Sequence, residues 1–390
     1  MISFEEALSI VLSAATPLPG ETCSLALACG RILAEDIRSD SDIPPFNKSA
    51  VDGFACRMAD ISHPLMIIET IPAGRVPSHP IGPGQCARIM TGAMVPEGTD
   101  TVIMVEDTEE LPEGRIRFIK DTTALHICCR GEDIRKGDLV LVKGSLITPP
   151  AMAVLASVGA VEPIVCTQPS VAMIATGDEL VAPDLEPGPA QIRNSNSSQL
   201  IAQVEQIHLK AVGLGISGDS KETLFAKIEE GLTAAEVLIL TGGVSMGDFD
   251  YVPDIMKQHG IEILFKSVAI QPGRPTVFGR RGHAFVFGLP GNPVSSFVVF
   301  EILVKPFLYK LMGHDFSPPV VRLPLGSPIR RRNPTRKSFL PVCIRNGEIF
   351  PVEYHGSAHI HAYSNAHGLM PVGIGNTELK QGELQDVRLL

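Results

Sequence analysis

Several common signatures are missing from this sequence of 390 residues, and each absence narrows its class. It has no apolar run of eighteen residues, so no segment is predicted to span a membrane. The N-terminus, MISFEEALSI, carries two glutamates and no basic segment, which excludes a secretory signal and predicts a cytoplasmic protein. A net charge of −10 argues against nucleic acid as the main partner.

Metal and redox motifs are also missing. The eight cysteines include no CxxC, and no HExxH is present. The cysteine spacing is too irregular for a disulfide scaffold, so we interpret these residues as reduced and mostly buried thiols. His359 and His361 are near neighbours, but a satisfied or exposed pair is a simpler interpretation than a metal site.

The length of the chain predicts more than one domain. Apolar residues at helical spacing predict a helix from Phe4 to Ala15. Between residues 42 and 144, short β-rich runs alternate with Pro/Gly turns, which predicts a small barrel or sandwich. Pro149 then opens a predicted apolar helix. After Gly313 the chain returns to short strands, which predicts an all-β C-terminal domain.

The segment from Ser170 to Gly313 has a different pattern, in which predicted strands alternate with predicted helices. This alternation is typical of βαβ units and predicts a mostly parallel sheet. The predicted strands are VAMIAT, Ala211–Ile216, VLILTGG and AFVFGLPGN, and the predicted helices are 197–210, 221–235, 253–260 and 294–311.

Polar or glycine-rich turns follow three of these strands. Because ligands of open α/β sheets bind beyond the carboxyl ends of the strands, the three turns are the candidate binding site. Their candidate binding residues are Thr176, Gly177 and Asp178 in the first, Gly242, Gly243, Ser245 and Gly247 in the second, and Pro290, Gly291, Asn292 and Ser295 in the third.

The chemistry of these turns favours an anionic ligand. Glycines let backbone N–H groups approach a phosphate closely, and Asn292 followed by Pro293 is typical of a helix start. The motif is neither a dinucleotide fingerprint nor a P-loop, because no GxGxxG follows a predicted strand and no GK[ST] is present. Ordinary βα turns are the alternative.

Acidic residues accompany the same turns. Glu179, Asp248 and Asp250 would repel a phosphate unless Mg²⁺ lay between them, so they predict a magnesium site. Solvated turn acids are the alternative interpretation. Two further polar segments, Ser49–Ala55 and Arg130–Asp133, are interpreted as turns from their residues alone. Arg330–Arg332 is interpreted as a solvated loop.

Taken together, these segments resemble the molybdopterin molybdenumtransferase family, which includes the E domain of gephyrin. The resemblance covers nearly the whole chain, and its motifs occur in the family's order. The matching motifs are PPFNKSAVDGFA, RIMTGAMVPEGTDTVIMVED, RGEDI, ATGDEL, TGGVSMGDFDY, QPGRPTVFG, GLPGNPVSS and GSAHIHAYSNAHGL.

The resemblance implies a multidomain α/β plus β fold. A doubly wound, parallel-sheet molybdopterin-binding domain would span residues 169–314, and an inserted β-rich domain would span residues 42–144. Residues 1–41 and 145–168 would form a mixed linker and dimerisation region, and residues 315–390 a C-terminal β-barrel. The resemblance also implies a homodimer, with each active cleft taking the α/β domain of one subunit and the N-terminal part of the other.

The implied reaction inserts molybdate into adenylylated molybdopterin, with release of AMP and with Mg²⁺ assisting. The family's functional residues match Asp52, Thr91, Asp133, Glu179 and Asp250, of which Asp52, Glu179 and Asp250 would hold the metal. Residues near molybdate match Arg274, Pro275, Ser295, Arg336 and Ser357. No Ser/His/Asp or Cys/His set is evident, which argues against covalent catalysis.

The sequence departs from the family pattern at positively charged positions. The usual Lys-Pro-Gly-Lys-Pro is replaced by Gln271 to Pro275, and the usual Asp-Thr-Asn-Arg by Asn194 to Ser197. Each lost cation at an exposed site weakens anion binding by about 1 kcal/mol.

Two alternatives therefore stay open, a non-catalytic carrier of molybdopterin or finished cofactor and a relative that inserts tungstate. Because the chain contains no adenylyltransferase domain, a separate protein is expected to supply the adenylylated substrate.

Overall fold

The computed structural model describes residues 1–244, 251–353, 356 and 358–390. Three six-stranded sheets and several two-stranded ribbons organise this part of the chain, which confirms the predicted multidomain α/β plus β fold. None of the helices in these ranges has the length and apolar composition that crossing a bilayer requires.

Short 3-10 turns separate many of the elements in the N-terminal half of the chain. The helices and strands of residues 1–168 are α1 (Phe4–Ala14), β1 (Gly20–Thr22), β2 (Ile37–Arg38), β3 (Lys48–Ser49), β4 (Gly53–Cys56), β5 (Leu65–Ile71), β6 (Gln85–Ile89), β7 (Thr101–Met104), β8 (Thr108–Leu111), β9 (Arg115–Phe118), β10 (Ile127–Cys128), β11 (Leu139–Leu141), α2 (Pro149–Ser157) and β12 (Ile164–Cys166).

Helix α1 begins as the sequence predicts. The Ser3 hydroxyl accepts a hydrogen bond from the Glu6 N–H at 3.1 Å, which satisfies one of the free amides at the helix start. The buried face of α1, with Phe4, Ala7 and Val11, packs into the largest apolar core of the protein. The apolar spacing therefore predicted both the helix and the face that it buries.

The strands between residues 42 and 144 form mainly one sheet, which we call the inserted sheet, with the order β7-β4-β6-β5-β9-β8. The interpretation of Ser49–Ala55 as a turn holds for residues 50–52 but is wrong for residues 53–55, because β4 is a central strand between β6 and β7. A Cβ atom on Gly53 would lie 1.9 Å from the carbonyl oxygen of Ile103, so close strand packing explains this glycine.

The predicted strand near residue 140 lies outside the inserted sheet. β11 pairs with β2, and its residues Val140 and Leu141 pack into a cluster with α2 and β12. A long-range pairing therefore joins this strand to the first 41 residues, which the local β pattern does not reveal.

The α/β region follows. Its elements are β13 (Val171–Thr176), β14 (Leu180–Val181), β15 (Ile192–Arg193), α3 (Ser195–Glu205), β16 (Ala211–Ser217), α4 (Lys221–Ala234), β17 (Val237–Thr241), α5 (Val252–Gln258), β18 (Glu262–Phe265), β19 (Ile270–Gln271), β20 (Val277–Arg281), β21 (Ala284–Leu289), α6 (Pro293–Val299), a π-helical turn (Phe300–Val304) and α7 (Lys305–Leu311).

The α/β sheet has the strand order β16-β13-β17-β21-β20-β18. Its first four strands are parallel, and β20 runs antiparallel to them. β18 pairs antiparallel with β20 and so runs in the direction of the first four. Neither β20 nor β18 was predicted. The apolar residues of α3 and α6 pack on one face and those of α4 and α5 on the other. The sheet is therefore doubly wound, with an antiparallel edge added to a parallel core.

The remaining strands form the C-terminal sheet. They are β22 (Val320–Pro324), β23 (Ile329–Arg330), β24 (Lys337–Arg345), β25 (Glu348–Pro351), β26 (Gly368–Val372), β27 (Glu378–Leu379) and β28 (Leu384–Leu389).

This sheet closes into a barrel. The pairing runs from β22 through β28, β26 and β24 to β25. A bridge between Leu325 and Ile349 then returns to the end of β22, and the Gly326 N–H donates to the Ile349 carbonyl at 2.8 Å. Closure pairs strand edges that would otherwise be exposed, which is the physical gain of a barrel.

Candidate functional site

A cavity of about 640 Å³ lies at the carboxyl ends of β13, β17 and β21. The parallel register of these strands brings their following turns to one edge of the sheet. The residues lining the cavity are Thr176, Gly177, Glu179, Leu180, Ile192, Arg193, Asn194, Ser195, Asn196, Asp219, Thr241, Gly242, Gly243, Val244, Pro275, Pro290, Gly291, Asn292, Pro293, Ala358 and Ile360.

In the first turn, Gly177 makes room for Glu179. Gly177 has φ +147°, and a Cβ atom there would lie 2.4 Å from a carboxylate oxygen of Glu179. The glycine therefore allows the Glu179 carboxylate to fold back over the end of β13 beside the cavity. Any larger residue would displace this carboxylate.

The second turn is also held by glycine geometry. Gly242 has φ +91°, and an added Cβ atom would lie 2.5 Å from the carbonyl oxygen of Thr176. The N–H of Gly242 donates to the Leu289 carbonyl at 3.0 Å, so it connects the second and third turns. Its contribution to the cavity is space and backbone shape, because its own N–H is bonded within the protein.

The third turn starts a helix, as the sequence predicts. Asn292 occupies the N-cap position of α6 and Pro293 the first helical position. The N–H groups of Ser295 and Ser296 both donate to the Asn292 carbonyl. Asn292 and Gly291 line the cavity, whereas Ser295 is buried behind them.

Asp178 and Asp219 hold the first turn against the end of β16. The Asp219 N–H donates to the Asp178 carboxylate at 3.0 Å, and the Asp178 N–H donates to the Asp219 carboxylate at 3.3 Å. Asp219 lines the cavity, and sequence reasoning missed it. Its position three residues after the predicted strand Ala211–Ile216 of the same sheet was a signal that could have found it.

Two other polar residues of the cavity were also missed. Asn196 donates to the Gly291 carbonyl at 2.7 Å, which ties the start of α3 to the third turn. Arg193 supplies a cation at the cavity lining, and its guanidinium donates to the Leu185 carbonyl at 2.9 Å. Arg193 stands just before the segment where the family pattern predicted a lost charge.

Asp52 and Thr91 form a separate polar contact, on the inserted sheet. One oxygen of the Asp52 carboxylate accepts hydrogen bonds from the Thr91 N–H at 2.6 Å and from its hydroxyl at 2.9 Å. These bonds, with the backbone one contributing most, lower the pKa of Asp52. Both residues are exposed, as is Asp133, and the described residues of one chain do not bring any of the three to the cavity.

The candidate oxyanion residues that the structure describes differ in how close they come to the cavity. Pro275 lines it, and Arg274 is the exposed residue just before Pro275. The Arg336 guanidinium donates to the Ile270 carbonyl at 3.3 Å, next to Gln271. The barrel strand β24 also pairs with β19, so the barrel and the α/β sheet meet at this point.

One arginine of the basic run Arg330–Arg332 makes several hydrogen bonds within the protein. Arg331 donates to the carbonyls of Gly373, Asn376 and Arg336 and to the Ser338 hydroxyl. Burial lowers the pKa of this guanidinium. The interpretation of Arg330–Arg332 as a solvated loop is therefore wrong for Arg331, which holds the loop before β24 in place.

The acidic residues at the cavity are hard oxygen donors of the kind that magnesium prefers. Among residues 1–244, 251–353, 356 and 358–390, no group of three or more His, Cys, Asp or Glu could hold a metal. Magnesium usually takes one or two carboxylates together with substrate phosphates, so Glu179 and Asp219 fit that role. Ser245, Gly247, Asp250 and Ser357 were predicted site residues and lie outside the described residues.

The fold and the cavity define a multidomain α/β protein with a small-molecule site at the carboxyl edge of its parallel strands. Models of two families match the chain. Residues 2–159 match the MoeA N-terminal region (domain I and II), and residues 172–310 match the probable molybdopterin binding domain.

Known proteins match over the full length. The chain is 35% identical to the molybdopterin molybdenumtransferases of Staphylococcus aureus (strain Mu50) and Staphylococcus epidermidis (strain ATCC 12228), covering all of this chain and 95% of each relative. The crystal structure of a molybdopterin biosynthesis MoeA protein from Pyrococcus horikoshii is 32% identical, with a TM-score of 0.81, and the match covers 100% of this chain and 99% of that one. The chain therefore belongs to the molybdopterin molybdenumtransferase family.

Proposed function

We propose that this protein is a molybdopterin molybdenumtransferase, which inserts molybdate into adenylylated molybdopterin and releases AMP. The observation that carries the proposal is the full-length relationship to transferases, together with a cavity built from the turns that hold the family's motifs. A cavity of about 640 Å³ is within the range of small-molecule sites.

The cavity would bind the pterin and its pyrophosphate. Hydrogen bonds join the second turn to the third through Gly242, the start of α3 to the third turn through Asn196, and the first turn to the end of β16 through Asp219. A site fixed in this way before binding loses little conformational entropy when the substrate enters. The start of α6 beside Gly291 is the part of the rim best suited to an anion, because the helix dipole places partial positive charge at that end.

Molybdate would bind where the barrel meets the α/β sheet. Arg274, Arg336 and Ser295, with Ser357, are the proposed oxyanion residues. A guanidinium suits a tetrahedral dianion because its N–H groups donate in a planar fork. Gln271 offers a neutral amide where the family pattern has lysine, so we expect weaker molybdate binding than in relatives that keep the lysine.

Magnesium, when bound, would neutralise charge on the substrate phosphates. Glu179, Asp250 and Asp52 of the partner subunit are the proposed ligands, and Asp219 is a further carboxylate at the same rim. The residues of this chain would orient the adenylyl phosphate and limit access of water to it.

A homodimer would complete the site. Asp52 and Thr91 are exposed on the inserted sheet and do not line the cavity of their own chain. Exposed polar groups held in a fixed geometry are suited to meeting a ligand bound by a second copy. We further propose that a separate adenylyltransferase supplies the adenylylated substrate.

A single-turnover assay of AMP release, with and without molybdate and Mg²⁺, tests the proposal. Asp52→Ala and Glu179→Ala proteins should both release AMP more slowly than the unmodified protein. Glu205→Ala is the matched control, because Glu205 is an exposed carboxylate at the far end of the helix that borders the cavity. Rates equal to wild type in both test variants contradict the site assignment.

The same assay separates the alternatives. Tight pterin binding without molybdate-dependent AMP release favours a carrier protein. Stronger competition by tungstate than by molybdate favours a tungstate-inserting enzyme.

A further inference from the structure

Two buried cysteines stand directly opposite each other in the inserted sheet. Cys56 is the last residue of β4, and the antiparallel register pairs it with Cys86 of β6. Both side chains are fully buried in one apolar cluster that also contains Phe54 and Ile103. The two sulfur atoms therefore lie on the same face of the sheet.

The hydrogen bonds between β4 and β7 help to show whether Cys56 and Cys86 form a hydrogen-bonded or a non-hydrogen-bonded pair. The carbonyl of Cys56 accepts from the Asp100 N–H at 3.2 Å, and the carbonyl of Asp52 accepts from the Val105 N–H at 3.1 Å. The N–H and C=O of one strand residue point the same way, and the direction alternates along the strand. Cys56 therefore turns its backbone groups toward β7 and away from β6.

The hydrogen bonds between β5 and β6 show the corresponding direction for the backbone groups of Cys86. The Gly84 carbonyl accepts from Met66, and the Met90 N–H donates to Ile71, both on the β5 side of β6. Cys86 lies two residues after Gly84 and four before Met90, so its backbone groups also point toward β5 and away from β4. Cys56 and Cys86 are thus a non-hydrogen-bonded pair, whose Cα atoms are about 4.5 Å apart in antiparallel sheets. Disulfides span Cα separations of about 4.4–6.8 Å.

A short turn covers this end of the strand pair. The 3-10 turn Met58–Asp60 follows β4, and its Asp60 carboxylate accepts from the Gly84 N–H at 3.1 Å. The Asp100 carboxylate accepts from the Met58 N–H at 2.5 Å. Local opening of this turn, which does not require global unfolding, would expose the pair to water.

We propose that Cys56 and Cys86 are a redox modification site, at which hydrogen peroxide joins the two sulfurs as a cross-strand disulfide. One thiolate attacks peroxide, so that an S–O bond forms, the O–O bond breaks and hydroxide leaves. The second thiolate attacks the resulting sulfenic sulfur, so that the S–S bond forms and a second hydroxide leaves. The two thiol protons convert both hydroxides to water, and the sulfurs together lose two electrons to the peroxide.

The buried environment sets the rate of this reaction. Burial raises the pKa of both thiols to about 12, and the neighbouring Cys86, Asp100 and Asp60 add to the effect on Cys56. Thiolate therefore forms when the cover over the pair opens to water. When the cover closes again, the disulfide is shielded from thiol reductants.

The site is connected to Asp52 and Thr91 through the same two strands. Asp52 immediately precedes β4, and Thr91 lies two residues beyond the end of β6. A covalent link at the other end of the pair keeps β4 against β6 and so limits separation of Asp52 from Thr91. It also closes the chain between residues 56 and 86 in the unfolded state, which raises the thermal midpoint.

The experiment uses the full chain with Cys29→Ser, Cys128→Ser and Cys129→Ser, which removes the thiols that are not buried. The folded protein is incubated with hydrogen peroxide, its free thiols are alkylated in denaturant, and its peptides are analysed by mass spectrometry. We expect one linked peptide pair joining Cys56 and Cys86, two hydrogens lighter than the separate peptides and cleaved by a phosphine reductant. We also expect a higher thermal midpoint after oxidation.

Cys56→Ala and Cys86→Ala in the same background are the controls, and each should abolish both the linked peptide and the shift. Recovery of Cys56 and Cys86 as alkylated thiols from the folded protein overturns the proposal, as does a link that forms only in denaturant. A linked pair without a higher thermal midpoint overturns the stabilising role. None of these readouts depends on AMP release, so they fail or succeed independently of the transferase activity.

Discussion

Thr91 donates two hydrogen bonds to a single carboxylate oxygen of Asp52, one from its N–H at 2.6 Å and one from its hydroxyl at 2.9 Å. The contact joins the residue before β4 to a residue just beyond β6, so it depends on the pairing of these strands. Both donors favour the ionised carboxylate, which lowers its pKa.

Removing one of these donors should shift the acid limit of activity. Thr91→Val keeps the N–H but loses the hydroxyl, so the pKa of Asp52 should rise toward its ordinary value. Because the pair is exposed to water, we expect the main effect on the pH dependence of the rate and only a small loss in the single-turnover rate itself.

The lowered pKa of Asp52 sets the direction in which the pH–rate profile should move. Asp52 stays ionised in the native protein as the pH falls below its ordinary pKa, and loses its charge only at the lower folded value. The acid limb of the pH–rate profile should therefore move to higher pH in Thr91→Val. Thr91→Ser keeps the hydroxyl and should retain the wild-type profile, and identical profiles for Val and Ser argue against a role for this contact.

A side chain at Gly177 should displace Glu179. Gly177→Ala places a methyl group 2.4 Å from the Glu179 carboxylate, at a positive φ that costs residues other than glycine roughly 1–3 kcal/mol. We expect a large loss of AMP release, measured by single-turnover kinetics, with a modest loss of stability in urea.

Gly74→Ala is the matched control for backbone strain. Gly74 has φ +83°, and nothing lies within 4 Å of an added Cβ atom. It should lose similar stability but keep its activity. If both variants keep full activity, the position of Glu179 is unimportant for the reaction.

Two substitutions of Asp219 separate the effect of its charge from the effect of its hydrogen bond to Asp178. Asp219→Ala removes the oxygen that accepts from the Asp178 N–H, so the first turn keeps only one of its two hydrogen bonds to the end of β16. Asp219→Asn retains an acceptor at the same place but not the charge. Substrate affinity and AMP-release rate, measured for both variants, give the readout.

A positioning role predicts that Asp219→Asn behaves like wild type and Asp219→Ala does not. A role for the charge, as in metal binding, predicts that both variants fail and that both need more Mg²⁺. Full affinity and rate in Asp219→Ala would exclude either role.

Arg388 should contribute more to stability than Arg322, an exposed arginine on the same barrel. Its guanidinium donates to the Glu301 carbonyl in the π-helical turn at 2.6 Å, which ties the last strand to the α/β region. Arg388→Met leaves that carbonyl without its donor, at a cost of about 1–3 kcal/mol in the free energy of unfolding.

Arg322→Met is the comparison, because Arg322 is exposed and pairs with Asp386 at 3.7 Å. Exposed substitutions of this kind usually change stability by less than about 0.5 kcal/mol. Urea unfolding of both variants provides the measurement, and equal losses would contradict a specific role for Arg388.

Local sequence patterns were sufficient for much of the α/β region. The start of α3, the strand VAMIAT and the helix that begins at Pro293 were all predicted to within a few residues. These elements depend on side-chain periodicity and on residues that stop or start a helix, which act over a few positions. The family resemblance rested on ordered motifs of the same kind.

Long-range pairings were not predictable in the same way. β4 resembled a turn because its glycine and small residues serve close packing against β7. The pairing of β11 with β2, and the closure of the barrel through Leu325 and Ile349, join residues that are distant in sequence. The periodicity of side chains along a strand does not indicate which distant strand it pairs with.

The sequence by itself thus determined the helices, most strands, the family and the turns that could bind a phosphate-bearing ligand, because each depends on short-range chemistry. Only the tertiary structure decided that Asp219 reaches the cavity, that Asp52 and Thr91 lie outside it, and that Cys56 faces Cys86. Strand register and sheet order decide these positions, and both depend on packing across the whole chain.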